Sequence, residues 1–204
     1  MRYVLAALVA MVFTSPALAG KYNDVLSIGD AAPAWEGLEG VDGKRHALAE
    51  LAAKEIVVVV FISNSCDVAT DYEDRILAFS KKYAGPDGKV ALVAINVNKV
   101  PEDLLPQMRE RAAAKGFDFP YLFDETQKIG RDFGANFTPE FFVLDKERKI
   151  AFMGGMDDSS VPATVKTNYL EPAVEAVLAG KAPETAEAPA IGCRIRYDRQ
   201  RRSR

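Results

Sequence analysis

Seven consecutive apolar residues, 56–62 (I-V-V-V-V-F-I), nearly all β-branched or aromatic, form the most decisive pattern in the chain. A run without polar alternation predicts a strand buried on both faces, the habit of a central strand in a helix-covered sheet. It ends in a short polar turn, Ser63-Asn64-Ser65-Cys66-Asp67. Beyond the turn the period changes: Val68, Tyr72, Ile76, Phe79 and Tyr83 recur at helical spacing with Asp71, Glu73, Asp74, Lys81 and Lys82 between them. Gly85-Pro86-Asp87-Gly88 breaks the helix, and residues 90–97 give a second buried strand. Strand, helix and strand make a βαβ unit with a right-handed crossover. Cys66 therefore falls between the end of a core strand and the start of a helix. Open α/β sheets place their chemistry there, and a helix amino terminus favours a thiolate. Asp67 beside it is expected to cap the helix.

The same reading extends to both ends. Asp42-Gly43 marks a hairpin between short strands near residues 38–44, Trp35 is expected in the core, His46 at the surface, and residues 48–54 in a brief helix. A helix begins at Pro101, with Leu104, Leu105, Met108 and Ala112 on its apolar side and Gly116 at its end. Residues 119–123 are extended, and residues 124–133 form a short helix capped by Asp124 or Thr126. Residues 138–145 and 149–154 form an antiparallel hairpin, and a last helix over 169–178 stops at Gly180. The stretch 181–190, rich in Ala, Pro and Glu, reads as an extended linker. It delivers Ile191-Gly192-Cys193 and a basic end with Arg194, Arg196, Arg199, Arg201, Arg202 and Arg204, expected to be solvated and mobile.

Composition sets the address and narrows the partners. The chain has 204 residues and 49% hydrophobic content, enough for one domain with a substantial core. Arg2, the apolar run 3–13 and Ala17-Leu18-Ala19 before Gly20 read as a secretory signal peptide, so the protein is expected in the periplasm or secreted. The organisation is then a signal peptide at 1–19, one domain at 20–180 and a tail at 181–204. Cleavage removes Arg2 and no acid, taking the formal charge from −3 to −4. Mild acidity argues against nucleic acid as the main partner, and residues 56–62 are too few to span a membrane. One histidine and two cysteines leave no transition-metal site. Asp157 and Asp158 after Gly154-Gly155 read as a turn rather than a calcium site.

The order of elements resembles the thioredoxin fold: an α/β arrangement of a central mixed sheet flanked by helices, with an extra N-terminal hairpin. Gly29-Asp30-Ala31-Ala32-Pro33, Asn64, Cys66 and Tyr72-Glu73-Asp74-Arg75 resemble the peroxiredoxin-like (redoxin) branch. So do Asp124-Glu125-Thr126-Gln127, Thr138-Pro139 with Phe141-Phe142, and Ile191-Gly192-Cys193-Arg194-Ile195. The resemblance implies thiol-based reduction of peroxides, or exchange of protein or small-molecule disulfides, with an external dithiol as reductant and no bound cofactor. Cys66 would be the reactive thiol, Ser63 its hydroxyl neighbour and Cys193 the resolving partner. Asn64, Ser65, Thr138 and a cis Pro139 would form the substrate-facing wall. The chain departs from the family at the active turn, where Ser63 replaces the first cysteine of the usual dithiol and Asp67 the following proline. Ser63-x-x-Cys66 also fits the peroxiredoxin pattern of a hydroxyl three residues before the cysteine, with Val59 in place of its proline. None of Arg75, Arg131 and Arg148 carries a motif marking it as the guanidinium that peroxiredoxins aim at the thiolate. The rival reading is a redox-inactive binding or structural module stapled by a Cys66–Cys193 disulfide.

Overall fold

A computed structural model describes residues 20–199; the expected signal peptide and residues 200–204 lie outside the described residues. Among the described residues nine strands run in chain order: β1 (Leu38–Gly40), β2 (Arg45–His46), β3 (Ile56–Phe61), β4 (Val90–Asn96), β5 (Tyr121–Phe123), β6 (Phe137–Thr138), β7 (Glu140–Leu144), β8 (Ile150–Gly154) and β9 (Cys193–Arg194). The α-helices of the described residues are α1 (Asp67–Tyr83), α2 (Leu105–Lys115), α3 (Lys128–Asp132) and α4 (Leu170–Leu178). Seven strands form one mixed sheet in the order β2-β1-β5-β4-β3-β7-β8, and β6 pairs with β9 in a separate ribbon. The pair β3–β4 is parallel and β3–β7 antiparallel. This is the expected α/β thioredoxin-like architecture, with β1 and β2 as its additional amino-terminal hairpin.

The uninterrupted apolar run of β3 has the reason inferred from sequence, because both faces of this strand are covered. Ile56, Val58 and Val60 pack with Tyr72, Ile76 and Phe79 of α1, Met108 of α2 and Val174 of α4. Val57, Val59 and Phe61 point the other way, against Trp35, Leu48, Phe133 and Phe142. Each fully buried valine contributes about 1.5–3 kcal/mol relative to exposure, so the run resists any polar substitution. Register then fixes the site. Phe61, the last residue of β3, pairs with Glu140, the first of β7, which places Thr138-Pro139 beside the turn that leaves β3.

Three expectations are corrected. Cys66, not Asp67, is the N-cap of α1: its Sγ accepts the Ala69 N–H at 3.2 Å, and Asp67 is the first helical residue. The helix expected from Pro101 is split, because Leu104 is extended (φ −76°, ψ 157°) between a 3₁₀ turn and α2. Pro106 sits in the first turn of α2, where a missing N–H costs nothing. Leu104 consequently lies 39% exposed rather than on the apolar face. The tail is extended but fastened. Met153 N donates to Ala186 O and Ala188 N to Met153 O, at 3.0 and 3.1 Å. Tyr197 Oη donates to Ala135 O and Gln127 Nε2 to Arg196 O, at 2.7 and 3.0 Å. Among the described residues the backbone of the basic end is thus fastened to the domain, while Arg194, Arg196 and Arg199 are exposed to solvent as expected.

Candidate functional site: a cysteine pair flanking Thr138

The turn at the end of β3 is shaped by one buried carboxylate. Asp103 Oδ1 accepts the Asn64 N–H at 2.6 Å and the Asn96 Nδ2 at 2.9 Å, and Oδ2 accepts the Ser65 hydroxyl at 2.6 Å. The Ser63 hydroxyl donates to the same carboxylate at 3.0 Å and accepts from Asn98 Nδ2 at 3.0 Å. Asn64 is held from both sides, by Glu102 O at 2.9 Å and the Tyr121 hydroxyl at 3.0 Å. Ser63, Asn64 and Ser65 are therefore brought together by Asp103, and the Ser63 hydroxyl is engaged there rather than turned to Cys66. Sequence reasoning missed Asp103, because a residue read only as part of a helix start gives no sign of a partner forty positions away.

Cys66 lies at the next position and is 1% exposed. Its Sγ donates to Thr138 O at 3.0 Å while accepting the Ala69 N–H. The Thr138–Pro139 bond is cis, as expected. Thr138 in turn pairs with Cys193 across the β6–β9 ribbon. Cys193 is half-buried, its thiol within hydrogen-bonding reach of Cys66, and both cysteines are free thiols. Burial pushes the Cys193 thiol above its ordinary value of 9.0, and the neighbouring Cys66 adds to that shift. The structure thus brings Cys66, Cys193, Thr138 and Pro139 into one cluster. The Thr138 Oγ1 is buried there without a hydrogen-bond partner.

The approach of β9 depends on glycine. A Cβ on Gly192 would stand 2.6 Å from the Thr138 carbonyl carbon, closer still to its oxygen, and 3.1 Å from Pro139 N. Gly154 meets the Ala188 backbone in the same way, a Cβ there falling 2.7 Å from the Ala188 carbonyl carbon. Glu140, directly after Pro139, fastens the other strand of the ribbon: its Oε2 accepts the Asn136 and Phe137 N–H groups at 2.7 and 2.9 Å. Burial pushes its carboxyl up to about 7.

The remaining motif residues are engaged in hydrogen bonds and ion pairs away from the cysteines. Tyr72 Oη donates to Asp157 at 2.8 Å, and Arg75 pairs with Asp157 while donating to Ser159 O and Ser160 O at 3.0 and 2.7 Å. Glu73 receives a two-pronged bond from Arg111 at 2.7 and 2.8 Å. The helix expected over 124–133 is shorter, with Gln127 at its N-cap and no capping side chain there; Asp124 Oδ2 instead accepts the Ile129 N–H of its first turn at 2.7 Å from the preceding turn. Arg131 donates to Asp198 O, and Arg148 to Leu51 O and Lys54 O. All three candidate guanidiniums are thus committed to other partners. His46 bonds Asp42 at 3.0 Å on the surface. Among the described residues no group of three or more His, Cys, Asp or Glu side chains suits a metal ion, and no helix is long and apolar enough to cross a membrane. A cavity of about 560 Å³ opens at the far end of β3, between Ile56, Ile150 and Val177, and touches neither cysteine.

This fold and this thiol cluster define a thioredoxin-like redox protein. Residues 28–153 match the model of the AhpC/TSA family, and the chain belongs to that family. It is similar to the crystal structure of a hypothetical protein from Sinorhizobium meliloti 1021, with 33% identity, a TM-score of 0.79, and coverage of 86% of this chain and 97% of that one. An uncharacterised conserved protein from Geobacillus kaustophilus is 30% identical, with a TM-score of 0.80 and coverage of 88% and 96%. A thioredoxin-family thiol:disulfide interchange protein from Chlorobium tepidum TLS shares the fold at 22% identity and a TM-score of 0.54, over 66% of this chain and 90% of that one. No curated protein matches the chain.

Proposed function

We propose that this chain is an exported thiol–disulfide oxidoreductase that works through the pair Cys66 and Cys193, accepting electrons from an external dithiol. One observation carries the reading: β9 lays Cys193 against Thr138, and the Cys66 Sγ bonds that same residue. Two thiols so placed replace the contiguous dithiol that Ser63 has interrupted. A disulfide rather than a peroxide is the favoured substrate. The Ser63 hydroxyl is engaged by Asp103, and Arg75, Arg131 and Arg148 are engaged elsewhere, so a peroxide oxygen would find neither the hydroxyl nor those cations free. Asn64 and Ser65, half-buried in the turn before Cys66, are the expected residues a substrate would meet, while Thr138 and Pro139 are buried behind the pair and hold it in place.

The test is turnover. Purified mature protein is supplied with dithiothreitol and either insulin or hydrogen peroxide, and substrate loss is followed for wild type, Cys66→Ser and Cys193→Ser. Insulin reduction by wild type, lost in both variants, is the expected outcome. Peroxide consumption without insulin reduction would move the reading to a peroxidase. No turnover of either substrate would leave the structural staple.

A further inference from the structure

We infer that the mixed disulfide with the substrate forms on Cys193 and that Cys66 is the sulfur that resolves it. The inference rests on the exchange reading above and reverses the order that the family resemblance implies. Exchange requires the incoming sulfur to touch the sulfur it attacks, so access decides between two adjacent thiols. Cys66 is enclosed: it is 1% exposed, its thiol donates a hydrogen bond to Thr138 O, its sulfur accepts one from the Ala69 N–H, and the Cys193 thiol lies against it. Cys193 is only half-buried and sits on β9, a two-residue strand paired on one side with β6. Of the two sulfurs Cys193 is the more accessible to a substrate, whereas reaching Cys66 requires β9 or Thr138 to be displaced first.

The chemistry balances in this order. Cys193 loses its proton to solvent and attacks one sulfur of a substrate disulfide. The Cys193–substrate bond forms as the substrate S–S bond breaks, and the other substrate sulfur leaves as a thiolate that takes up a proton. Cys66 then loses its proton and attacks the Cys193 Sγ. The Cys66–Cys193 bond forms, and the second substrate sulfur leaves and is protonated. Two electrons pass from the protein dithiol to the substrate, and an external dithiol restores the pair. In the return direction an incoming thiolate attacks Cys193 and expels Cys66, the sulfur that already accepts a backbone N–H at a helix amino terminus.

The experiment is adduct trapping with glutathione disulfide, followed by intact mass and peptide mapping on reduced protein. Cys66→Ser, with Cys66→Ala as a second variant, retains Cys193 alone and is expected to accumulate a stable glutathione adduct at that residue. Cys193→Ser retains Cys66 alone and is expected to react at least about tenfold more slowly when folded, because reaction waits for local opening. The difference is expected to vanish in denaturant. Folded Cys193→Ser capturing glutathione as fast as Cys66→Ser, or faster, would overturn the assignment. Wild type treated likewise is expected to yield a peptide linking residues 66 and 193. Absence of that linkage would overturn the exchange reading itself, whichever variant reacted first.

Discussion

Replacing Gly192 by alanine tests whether close approach of the tail holds the cysteine pair together. The added Cβ would meet the Thr138 carbonyl carbon at 2.6 Å and Pro139 N at 3.1 Å, both backbone atoms that cannot rotate away. Inserting a methyl group where packing cannot yield costs about 1–3 kcal/mol. Taking about 2 kcal/mol, at ~1.4 kcal/mol per factor of ten, the ratio of docked to undocked β9 falls about thirtyfold. The reporter is the Ile195 N–H, which bonds Asn136 O at 2.9 Å only while the tail is docked. Hydrogen exchange at Ile195 is expected to speed up by that factor in Gly192→Ala, while amides in β3 and β4 keep their wild-type protection. Gly85→Ala is the control, since a Cβ there meets nothing within 4 Å. Ile195 exchange within about twofold of wild type in Gly192→Ala would refute the account of the tail as a strap seated by close approach.

Other perturbations have defined outcomes. Asp103→Asn sets an amide donor among the Ser63, Ser65 and Asn64 donors; a loss of about 2–4 kcal/mol, or roughly 5–15 °C in midpoint, is expected by thermal melting. Thr138→Val keeps the side-chain shape and removes a buried hydroxyl that has no partner, so stability is expected to hold or rise by about 1 kcal/mol. Glu140 has a folded-state value raised to about 7, so the unfolded chain holds fewer protons on this group than the folded one between its ordinary value and 7. Its contribution is therefore full below that window and lost as pH rises through it. The stability of wild type minus that of Glu140→Gln is expected to fall by about 3 kcal/mol between pH 4.5 and 7.5 in urea melts, and an unchanged difference would refute the raised value. Burial raises the Cys193 thiol above 9.0, so its alkylation in Cys66→Ser, which keeps that burial, is expected to go on rising from pH 7 to 9; a rate that is flat above pH 7 would refute the raised value.

What the sequence revealed follows from what local pattern can encode. The run at 56–62 specified β3 because only a strand covered on both faces tolerates four consecutive valines before a phenylalanine. The helical spacing from Val68 to Tyr83 placed α1 to its last residue. Thr138-Pro139 beside Cys66 and Cys193 as its neighbour came from the family resemblance, and the register of β7 against β3 explains why they meet. The rest depended on partners far apart in the chain. A sulfur N-cap lies outside the usual Ser, Thr, Asp and Asn set, so the adjacent Asp67 drew the assignment. The tail is poor in large apolar residues; Ile195 and Tyr197 pack against the core, but most of its fastening is backbone hydrogen bonding to Met153, the bonds of Tyr197 and Gln127, and the close approach that Gly154 and Gly192 permit. Such fastening leaves no periodic hydrophobic pattern. Asp103 shows the same limit, since a carboxylate that organises a turn forty residues away has no periodicity to display.

The central claim is that Cys66 and Cys193 cycle between dithiol and disulfide. Its most direct measurement is an equilibrium titration of the purified protein in glutathione buffers of graded ratio, quenched by alkylation and read by peptide mass. The expected result is one reversible two-electron transition in which the peptide linking residues 66 and 193 replaces two alkylated peptides, reached from the oxidised and the reduced side alike. Two cysteines alkylated across the whole range, or a linkage that no glutathione ratio reduces, would contradict it.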